Sequence, residues 1–311
     1  MRNAFIEELI RQADCDRNIW LLTADIGYAV VDRFFERFPE RYVNVGAAEQ
    51  NMIGVAAGLA LSEKTVFVYS IANFPTLRCL EQIRNDICYH NANVKIVAVG
   101  AGFAYGAQGY SHYALEDLAI LRSLPNMTVV APGDPVEVGL ATRAMAAEVR
   151  GPCYLRLGKA GEPVVHKDGC DFAIGKATVC EEGETVTLVS TGGTLSLAIE
   201  TARELREHGI SCGVTSLHTL KPLDVDFLGK ELRRVKLLCT IEEHSEHGGL
   251  GDLVAGVAGR SSGRISEVMT FAVPDGFGVS QGAAGTQSFM REECGLSSSR
   301  LARRIRARLK D

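Results

Sequence analysis

The first half of the chain alternates between short apolar runs and longer segments in which apolar residues recur at helical spacing. Nearly continuous apolar runs over residues 19–24, 65–70 and 94–99 predict strands that are buried on both faces. The segments that follow them predict helices over residues 29–38, 77–89 and 115–123. This alternation predicts an α/β fold with a parallel sheet that helices cover on both sides.

A second series of the same kind follows a Gly-rich, polar stretch. We expect strands over residues 185–190, 211–216 and 237–241, with a helix over 195–208. A chain of 311 residues is long enough for two domains. The pattern therefore predicts a parallel-sheet domain over residues 1–165, a linker over 166–180 and a second, smaller α/β domain over 181–311.

The composition argues against several classes of function. The formal net charge is −5, so the chain as a whole lacks the excess of basic residues that is typical of nucleic-acid-binding proteins. Nine scattered cysteines include no Cys-x-x-Cys pair, which indicates reduced thiols in a cytoplasm rather than a disulfide framework or a zinc site. The N-terminal segment lacks the apolar core of a signal peptide, and no apolar run is long enough to cross a bilayer. We expect a cytoplasmic protein without membrane or nucleic-acid partners.

The segment NVGAAEQNMIG, residues 44–54, holds the most informative carboxylate. The pattern predicts a buried strand over residues 41–45, a tight turn at Gly46 and a helix that begins at Ala48. Glu49 would then lie in the first helical turn, where the helix dipole favours a negative charge. Small residues along this helix would let another backbone or a flat ligand come close. Helix capping is the ordinary role of such an acidic residue, so this segment alone leaves its function open.

Further motifs join this segment to a known family. The chain resembles the pyrimidine-binding half of transketolase-like enzymes that depend on thiamine diphosphate, and the resemblance covers nearly all of it. The motifs stand in the family's order: NVGAAEQNMIGVAAGLAL, FPTLRCLEQIRNDICY, GYSHYALEDLAILRSLPNMTVVAPGD, YLRLGK, LKPLD and IEEHSEHGGLG. The resemblance implies a pyrimidine-binding parallel-sheet domain, followed by a smaller transketolase C-terminal α/β domain.

The resemblance implies a set of cofactor residues. Thiamine diphosphate needs a carboxylate against N1′ of its aminopyrimidine, and the matching residue here is Glu49. Phe74 matches an aromatic residue that supports the aminopyrimidine ring, and Ile71 stands where a second aromatic is common. Asp25, in the segment ADIG, resembles an acidic residue found near the thiazolium. An Asp followed closely by Gly after a strand is also a common turn, so both interpretations of Asp25 stay open.

The resemblance also implies substrate residues. His112, in GYSHYALED, matches a family histidine that faces the substrate, where an imidazole can act as an acid or base. Arg156, in YLRLGK, matches an arginine that binds substrate phosphate, and Arg78 occupies a position that assists in some relatives. A guanidinium suits phosphate because its fork makes paired, charge-assisted hydrogen bonds.

One loop departs from the family pattern. Split transketolases usually carry THAGLTVGEDG where this chain has VGAGFAYGAQG, residues 99–109. Gly100 replaces a histidine that faces the substrate, and Gln108 replaces an aspartate that contacts hydroxyl groups of the donor sugar. These changes count against the usual pentulose-phosphate donor. They favour a different ketose or a 2-oxo acid.

A family motif is also missing. The family holds the diphosphate and Mg²⁺ through a GDG motif followed by an asparagine, and no GDG occurs in this sequence. We therefore expect one subunit of a split enzyme, active only with an N-terminal partner that carries the GDG motif and the Mg²⁺ ligands, in an α2β2 heterotetramer. His244 and His247, with neighbouring glutamates, could suggest a metal site. Their spacing is loose and the resemblance makes the segment a structural turn, so we predict no metal ligands here.

The leading prediction is the C-terminal subunit of a thiamine-diphosphate-dependent transketolase. It would transfer a two-carbon ketol unit between sugars or sugar phosphates in carbohydrate metabolism. One alternative is decarboxylative transfer from a 2-oxo acid, as in deoxyxylulose-phosphate synthase or the β subunits of oxo-acid dehydrogenases. A second is a non-catalytic assembly subunit. A plain nucleotide-binding protein is disfavoured because no Gly-x-Gly-x-x-Gly motif follows the first strand.

Overall fold

The computed structural model describes residues 1–263, 265–277 and 284–310. Helices and strands alternate along most of this length. The helices are α1 Arg2–Cys15, α2 Asp32–Arg37, α3 Glu49–Leu61, α4 Leu80–Gln82, α5 Asp117–Ser123, α6 Pro135–Ala147, α7 Leu195–Glu207, α8 Val225–Arg234, α9 Leu250–Arg260, α10 Gln287–Glu293 and α11 Ser298–Arg308. The strands are β1 Ile19–Thr23, β2 Tyr42–Asn44, β3 Thr65–Ile71, β4 Val94–Val99, β5 Thr128–Val130, β6 Cys153–Leu157, β7 Thr178–Glu181, β8 Val186–Ser190, β9 Cys212–Ser216, β10 Thr219–Lys221, β11 Leu237–Ser245 and β12 Glu267–Val273.

The first half of the chain supplies six strands of a seven-stranded sheet in the order β10-β5-β6-β4-β3-β1-β2. The strands from β1 to β6 pair in parallel, and every residue of β4 and β6 is buried. One face carries an apolar cluster that includes Met52 and Ile53 of α3. The opposite face packs against α1 and α6. Burial on both faces is the reason these strands are almost purely apolar.

The second half builds a five-stranded sheet in the order β12-β11-β8-β9-β7. These strands are parallel except for β7, which pairs antiparallel with β9 at the edge. Helices α7 and α11 cover one face, and α8 and α9 cover the other. The α/β fold, with helices on both faces of each sheet, is therefore as the apolar pattern predicts.

Strand β10 links the two halves. It lies beyond residue 181 but pairs antiparallel with β5 of the first sheet, with Thr219 opposite Val130 and Lys221 opposite Val129. The backbone N–H of Ala131 also donates to the carbonyl of His218 at 2.7 Å. The second half therefore contributes one edge strand to the first sheet. The domain limits at residues 165 and 181 stay a prediction.

Two predicted elements differ from the structure. The strand expected to be buried over residues 41–45 is Tyr42–Asn44, and it is partly exposed because it forms the edge of the sheet. The helix expected over residues 77–89 is a 3₁₀ turn at Leu77–Cys79, a short α segment, and a π-helix at Ile83–Cys88. The wider π turn buries Ile83, Ile87 and Cys88 together. None of the helices in the described ranges combines the length and apolar character that a membrane span requires.

Candidate active site

The carboxyl ends of β1, β2 and β3 bring three loops together at one edge of the first sheet. In the register of the sheet, Thr23 at the end of β1 lies opposite Asn44 and beside Tyr69. The loops that follow hold Asp25, Glu49 and Phe74. Ligands of open parallel sheets bind at this kind of edge. The fold therefore gathers the predicted cofactor residues from segments about 25 residues apart in sequence.

Glu49 is the first residue of α3 and is only 3 % exposed. A turn at Gly46, with φ of 73°, leads from β2 into this helix. Asn44 shapes the turn, because its Oδ1 accepts hydrogen bonds from the backbone N–H of Gly46 at 3.0 Å and of Asp25 at 2.9 Å. Oε2 of Glu49 accepts a hydrogen bond from Nη1 of Arg78 at 2.7 Å. Glu49 is thus a buried carboxylate with a single partner among the described residues.

Arg78 and Phe74 extend this contact towards His112. The Arg78 side chain is half exposed, and its guanidinium lies 4.8 Å from the centre of the Phe74 ring. The same ring meets the imidazole of His112 edge-on, with 5.4 Å between ring centres. The structure therefore places Glu49, Arg78, Phe74 and His112 in one continuous row. Arg78, which we expected beside a substrate phosphate, here pairs with the carboxylate of Glu49.

Asp25 and Ile71 shape the loops at the same edge. Asp25 is exposed and has a φ of 55°, a left-handed conformation that residues other than glycine rarely adopt. Its carboxylate accepts a hydrogen bond from Nδ2 of Asn44 at 3.4 Å. Ile71 ends β3, and its carbonyl accepts a hydrogen bond from the N–H of Phe74 at 2.8 Å. The Ile71 side chain packs against the apolar cluster on the α1 and α6 side of the sheet, opposite α3.

Arg156 lies deeper, at the junction of the two halves. It is 2 % exposed, and its Nε donates to Oδ2 of Asp117 at 2.8 Å. Its Nη2 donates to Oδ1 of Asp117 and to the backbone carbonyls of Ala114 and Glu243. Burial disfavours the guanidinium charge, but Asp117 outweighs that effect and raises the pKa of Arg156. Nη1 makes no hydrogen bond to the described residues and is the part of the guanidinium still free for a ligand.

A pocket of about 280 Å³ adjoins this guanidinium. Arg156, Lys159, Arg291, Glu243 and Gln287 line it, so three cationic side chains face one small space. Arg291 is already paired with Glu243. Sequence reasoning did not single out Asp117, although it is the last residue of the GYSHYALED motif and lies in the first turn of α5.

The structure gives a steric reason for Gly100. Its φ is 102°, and a Cβ atom at this position would lie 2.6 Å from Cε2 of Tyr105. The Tyr105 ring therefore occupies the space that a side chain at position 100 would need. Gln108 is exposed at the end of the 3₁₀ turn Gly106–Gln108. The loop is thus remodelled around Tyr105, a residue that sequence reasoning overlooked.

Glu242 and His244 of the IEEHSEHGGLG segment have structural partners. Glu242 accepts hydrogen bonds from the N–H groups of Leu250 and Gly251 at 2.7 and 2.8 Å, and burial raises the pKa of Glu242 to about 7. Nε2 of buried His244 accepts from the N–H of Ala119 at 3.3 Å. His247 is exposed. Within residues 1–263, 265–277 and 284–310, no group of three or more His, Cys, Asp or Glu is arranged to hold a metal ion.

Family models match both halves of the chain. The model described as the transketolase pyrimidine-binding domain matches residues 1–161. The model described as the transketolase C-terminal domain matches residues 175–289. The first match covers strands β1 to β6, and the second covers strands β7 to β12.

Individual relatives extend over the same length. A protein of Methanocaldococcus jannaschii named as a putative transketolase C-terminal section is 37 % identical, over 100 % of this chain and 96 % of the relative. An apulose-4-phosphate transketolase subunit of Phocaeicola vulgatus is 37 % identical over 81 % of each chain. A solved split-gene transketolase, described as an inactive β4 tetramer, superposes with a TM-score of 0.87 at 37 % identity, covering 98 % of this chain and 96 % of the other.

Proposed function

Because the chain belongs to the transketolase family, we propose that it is the C-terminal subunit of a split transketolase that depends on thiamine diphosphate. The enzyme would transfer a two-carbon ketol unit between sugars or sugar phosphates. The observation that carries this proposal is Glu49, a carboxylate that is 3 % exposed at the carboxyl edge of a parallel sheet. Its one hydrogen-bond partner among the described residues is the half-exposed Arg78.

The residues present fit the aminopyrimidine of thiamine diphosphate. When bound, the cofactor supplies a thiazolium carbon that stabilises negative charge on the substrate. Glu49 would hold the proton at N1′, which a buried carboxylate does better than a solvated one because water does not compete for the hydrogen bond. Phe74 would support the ring, and Ile71 would fix the turn that presents Phe74. Asp25 would face the thiazolium side from the end of β1.

Substrate recognition is assigned to residues at the same edge and at the junction. His112, half-buried beside Phe74, would move a proton at a substrate hydroxyl. Arg156 would offer Nη1 to an anionic group in the pocket it shares with Lys159. Gln108 would face the substrate from the exposed 3₁₀ turn, and Gly100 would leave its place to Tyr105.

The chain would work only with a partner. We infer an N-terminal subunit that carries the GDG motif and holds Mg²⁺ and the diphosphate, because the sequence has no GDG. An α2β2 assembly would complete two cofactor sites. All nine cysteines are free thiols, which supports a reducing, cytoplasmic compartment.

Two alternatives follow from the altered loop. Tyr105 fills the space beside Gly100, so the usual donor contacts at that position cannot form. This favours either a donor other than the common pentulose phosphate, including a 2-oxo acid, or an assembly role without turnover. The name of the Phocaeicola vulgatus relative contains apulose 4-phosphate, a sugar phosphate. An unusual sugar phosphate is therefore our preferred substrate class.

A donor panel tests the proposal. The chain would be mixed with its N-terminal partner, thiamine diphosphate and Mg²⁺, and kcat/KM would be measured for xylulose 5-phosphate, fructose 6-phosphate, apulose 4-phosphate and pyruvate. We expect ketol transfer with at least one sugar phosphate. Xylulose 5-phosphate should be about a hundredfold poorer than with ordinary transketolases, because a lost hydrogen bond to a substrate hydroxyl costs a few kcal/mol. Turnover of pyruvate alone would favour the decarboxylating alternative, and cofactor binding without any turnover would favour the assembly subunit.

A further inference from the structure

A second cluster of reactive side chains lies where the linker crosses from the first sheet to the second. Asp134 is the N-cap of α6, and its Oδ1 accepts from the N–H of Glu137 at 2.8 Å. Its Oδ2 accepts from the N–H groups of Val165 and His166, both at 2.9 Å. A fully buried carboxylate therefore fastens the linker to the start of α6. None of the residues proposed for cofactor or substrate belongs to this cluster.

His166 connects that carboxylate to a thiol. Its Nδ1 lies 3.2 Å from Oδ2 of Asp134, and its Nε2 lies 3.5 Å from Sγ of Cys180. The His166 side chain is 6 % exposed. Oε1 of Glu137 lies 3.7 Å from the same Nε2 and has no hydrogen-bond partner among the described residues, although it is fully buried. Carboxylate, imidazole and thiol thus follow one another in the order found at nucleophilic sites.

The thiol faces open space. A pocket of about 890 Å³ is lined by His166, Cys170 and Cys180 together with Ser196 and Ile199 of α7. Cys180 is half-buried in β7, the edge strand of the second sheet. A small molecule in this pocket would therefore lie beside His166, Cys170 and Cys180. Pocket, nucleophile and buried base together form a built site rather than an isolated cysteine.

The charges around His166 favour an imidazolium. Burial opposes its charge, but the adjacent carboxylates of Asp134 and Glu137 and the contact with Cys180 prevail and raise the pKa of His166 to about 10. Burial raises the pKa of Glu137, which lowers the competing negative charge at the cluster. The titratable and charged groups that face this site are Asp134 and Glu137 of α6, Lys167, Asp168, Cys170 and Asp171 of the linker, Glu181 of β7, Glu200 of α7 and His218 before β10.

We propose that Cys180 is a nucleophilic modification site, activated by His166 and Asp134, that takes small hydroperoxides from this pocket. The sulfur attacks one peroxide oxygen, an S–O bond forms and the O–O bond breaks. The departing oxygen takes the proton that His166 holds and leaves as water or as an alcohol. The sulfur loses two electrons, the peroxide gains two, and Cys180 becomes a sulfenic acid. Asp134 positions the imidazole throughout.

Competitive labelling of the reduced full-length chain tests this site. Iodoacetamide reports thiol reactivity, and peptide mass spectrometry compares Cys180 with Cys15, an exposed cysteine in the same molecule. At about pH 6 we expect Cys180 to react at least ~10-fold faster than Cys15, because the imidazole of His166 lies beside its sulfur and activates it as a nucleophile. Dilute hydrogen peroxide should then add one oxygen to Cys180 first. Equal or slower labelling of Cys180 would overturn the proposal.

Two variants separate activation from exposure. In His166→Gln the rate advantage of Cys180 over Cys15 should disappear, whereas Cys170→Ser, which changes the same pocket, should retain it. An unchanged advantage in His166→Gln would overturn the role of His166. If His166→Gln does not fold, the wild-type comparison at about pH 6 decides, and equal labelling rates of Cys180 and Cys15 there would contradict the proposal.

Discussion

Oε2 of Glu49 and Nη1 of Arg78 form an ion pair at 2.7 Å, in which the carboxylate is 3 % exposed and the guanidinium is half exposed. The pair joins the residue proposed to hold the cofactor to the loop that carries Phe74. The charge of Arg78 compensates for the burial of the Glu49 carboxylate. Because the Arg78 side chain is half exposed, it can move away from Glu49 into solvent. A ligand that reaches Glu49 from the open edge of the sheet must therefore share this carboxylate with Arg78 or displace it.

Replacing Glu49 by Gln should nearly abolish turnover while the fold and the assembly persist. The amide keeps the shape of the side chain but cannot hold the N1′ proton, and the loss should be about 100-fold or more. The measurement is kcat on the reconstituted enzyme, with far-ultraviolet circular dichroism as the check on folding. Glu81→Gln, an exposed glutamate close to the same loop, is the matched control. If Glu49→Gln retained most of its activity, Glu49 would have only a structural role at the start of α3, and the proposed cofactor role would be wrong.

Replacing Arg78 by Met should destabilise the chain by roughly 1 kcal/mol, because it leaves the buried Glu49 carboxylate without its partner. The cost is kept this low because Arg78 is half exposed and its charge is partly screened by water. In a Glu49→Gln background the same change should cost less, since the uncompensated charge is gone. Urea unfolding of the four proteins gives the coupling free energy. Additive effects would show that the ion pair contributes nothing.

Replacing Gly100 by Ala should destabilise the protein more than a Gly→Ala substitution whose only cost is backbone strain at a positive φ. Gly100 has a φ of 102°, and the new Cβ would also overlap the Tyr105 ring. Gly169, with a φ of 83° and open space around it, is the matched control. We expect about 1 kcal/mol for Gly169→Ala and at least twice that for Gly100→Ala. Equal costs in thermal unfolding would mean that Tyr105 moves away freely.

His218 should contribute to the loss of stability in acid. Burial lowers the pKa of His218 to about 4, with help from the nearby charge of His166. The folded pKa lies below the unfolded value of about 6.5, so the unfolded chain binds the extra proton as the pH falls between these values. The contribution of His218 to the free energy of unfolding is therefore fully present above pH 6.5 and is lost as the pH falls towards 4.

The test is the variant His218→Gln. Between about pH 7 and pH 5 it should lose ~2 kcal/mol less stability than the wild type, because it has no imidazole to protonate. His247→Gln, an exposed histidine, should follow the wild type. The measurement is urea unfolding at both pH values. A wild-type and a His218→Gln curve that fall in parallel would contradict the assignment.

Local patterns account for much of the architecture. The runs at β3, β4 and β8 are apolar because both of their faces are covered, so their positions follow from the sequence. Strand β10 does not follow from it, because Thr219–Lys221 is short and pairs with a strand about 90 residues earlier. The π-helix at Ile83–Cys88 also could not be predicted, because the spacing of its apolar residues resembles that of an α-helix.

In the candidate site, too, some features could be predicted from the sequence and others could not. The motifs predict Glu49, Phe74 and His112 as site residues, and the fold places the three in one row. The partners of the predicted arginines were not foreseen. Arg78 meets Glu49 and Arg156 meets Asp117 across 29 and 39 residues of sequence. Such contacts depend on how loops from different strands converge, which periodicity does not encode.

The most direct test of the central claim is a calorimetric titration of thiamine diphosphate, with Mg²⁺ present and absent, into the chain alone and into its complex with the N-terminal partner. The chain alone supplies Glu49 and Phe74 but has no GDG motif for the diphosphate. We predict weak or undetectable binding to the lone chain, and Mg²⁺-dependent binding to the complex. Tight, Mg²⁺-dependent binding to the lone chain would contradict the account of a cofactor site divided between two subunits.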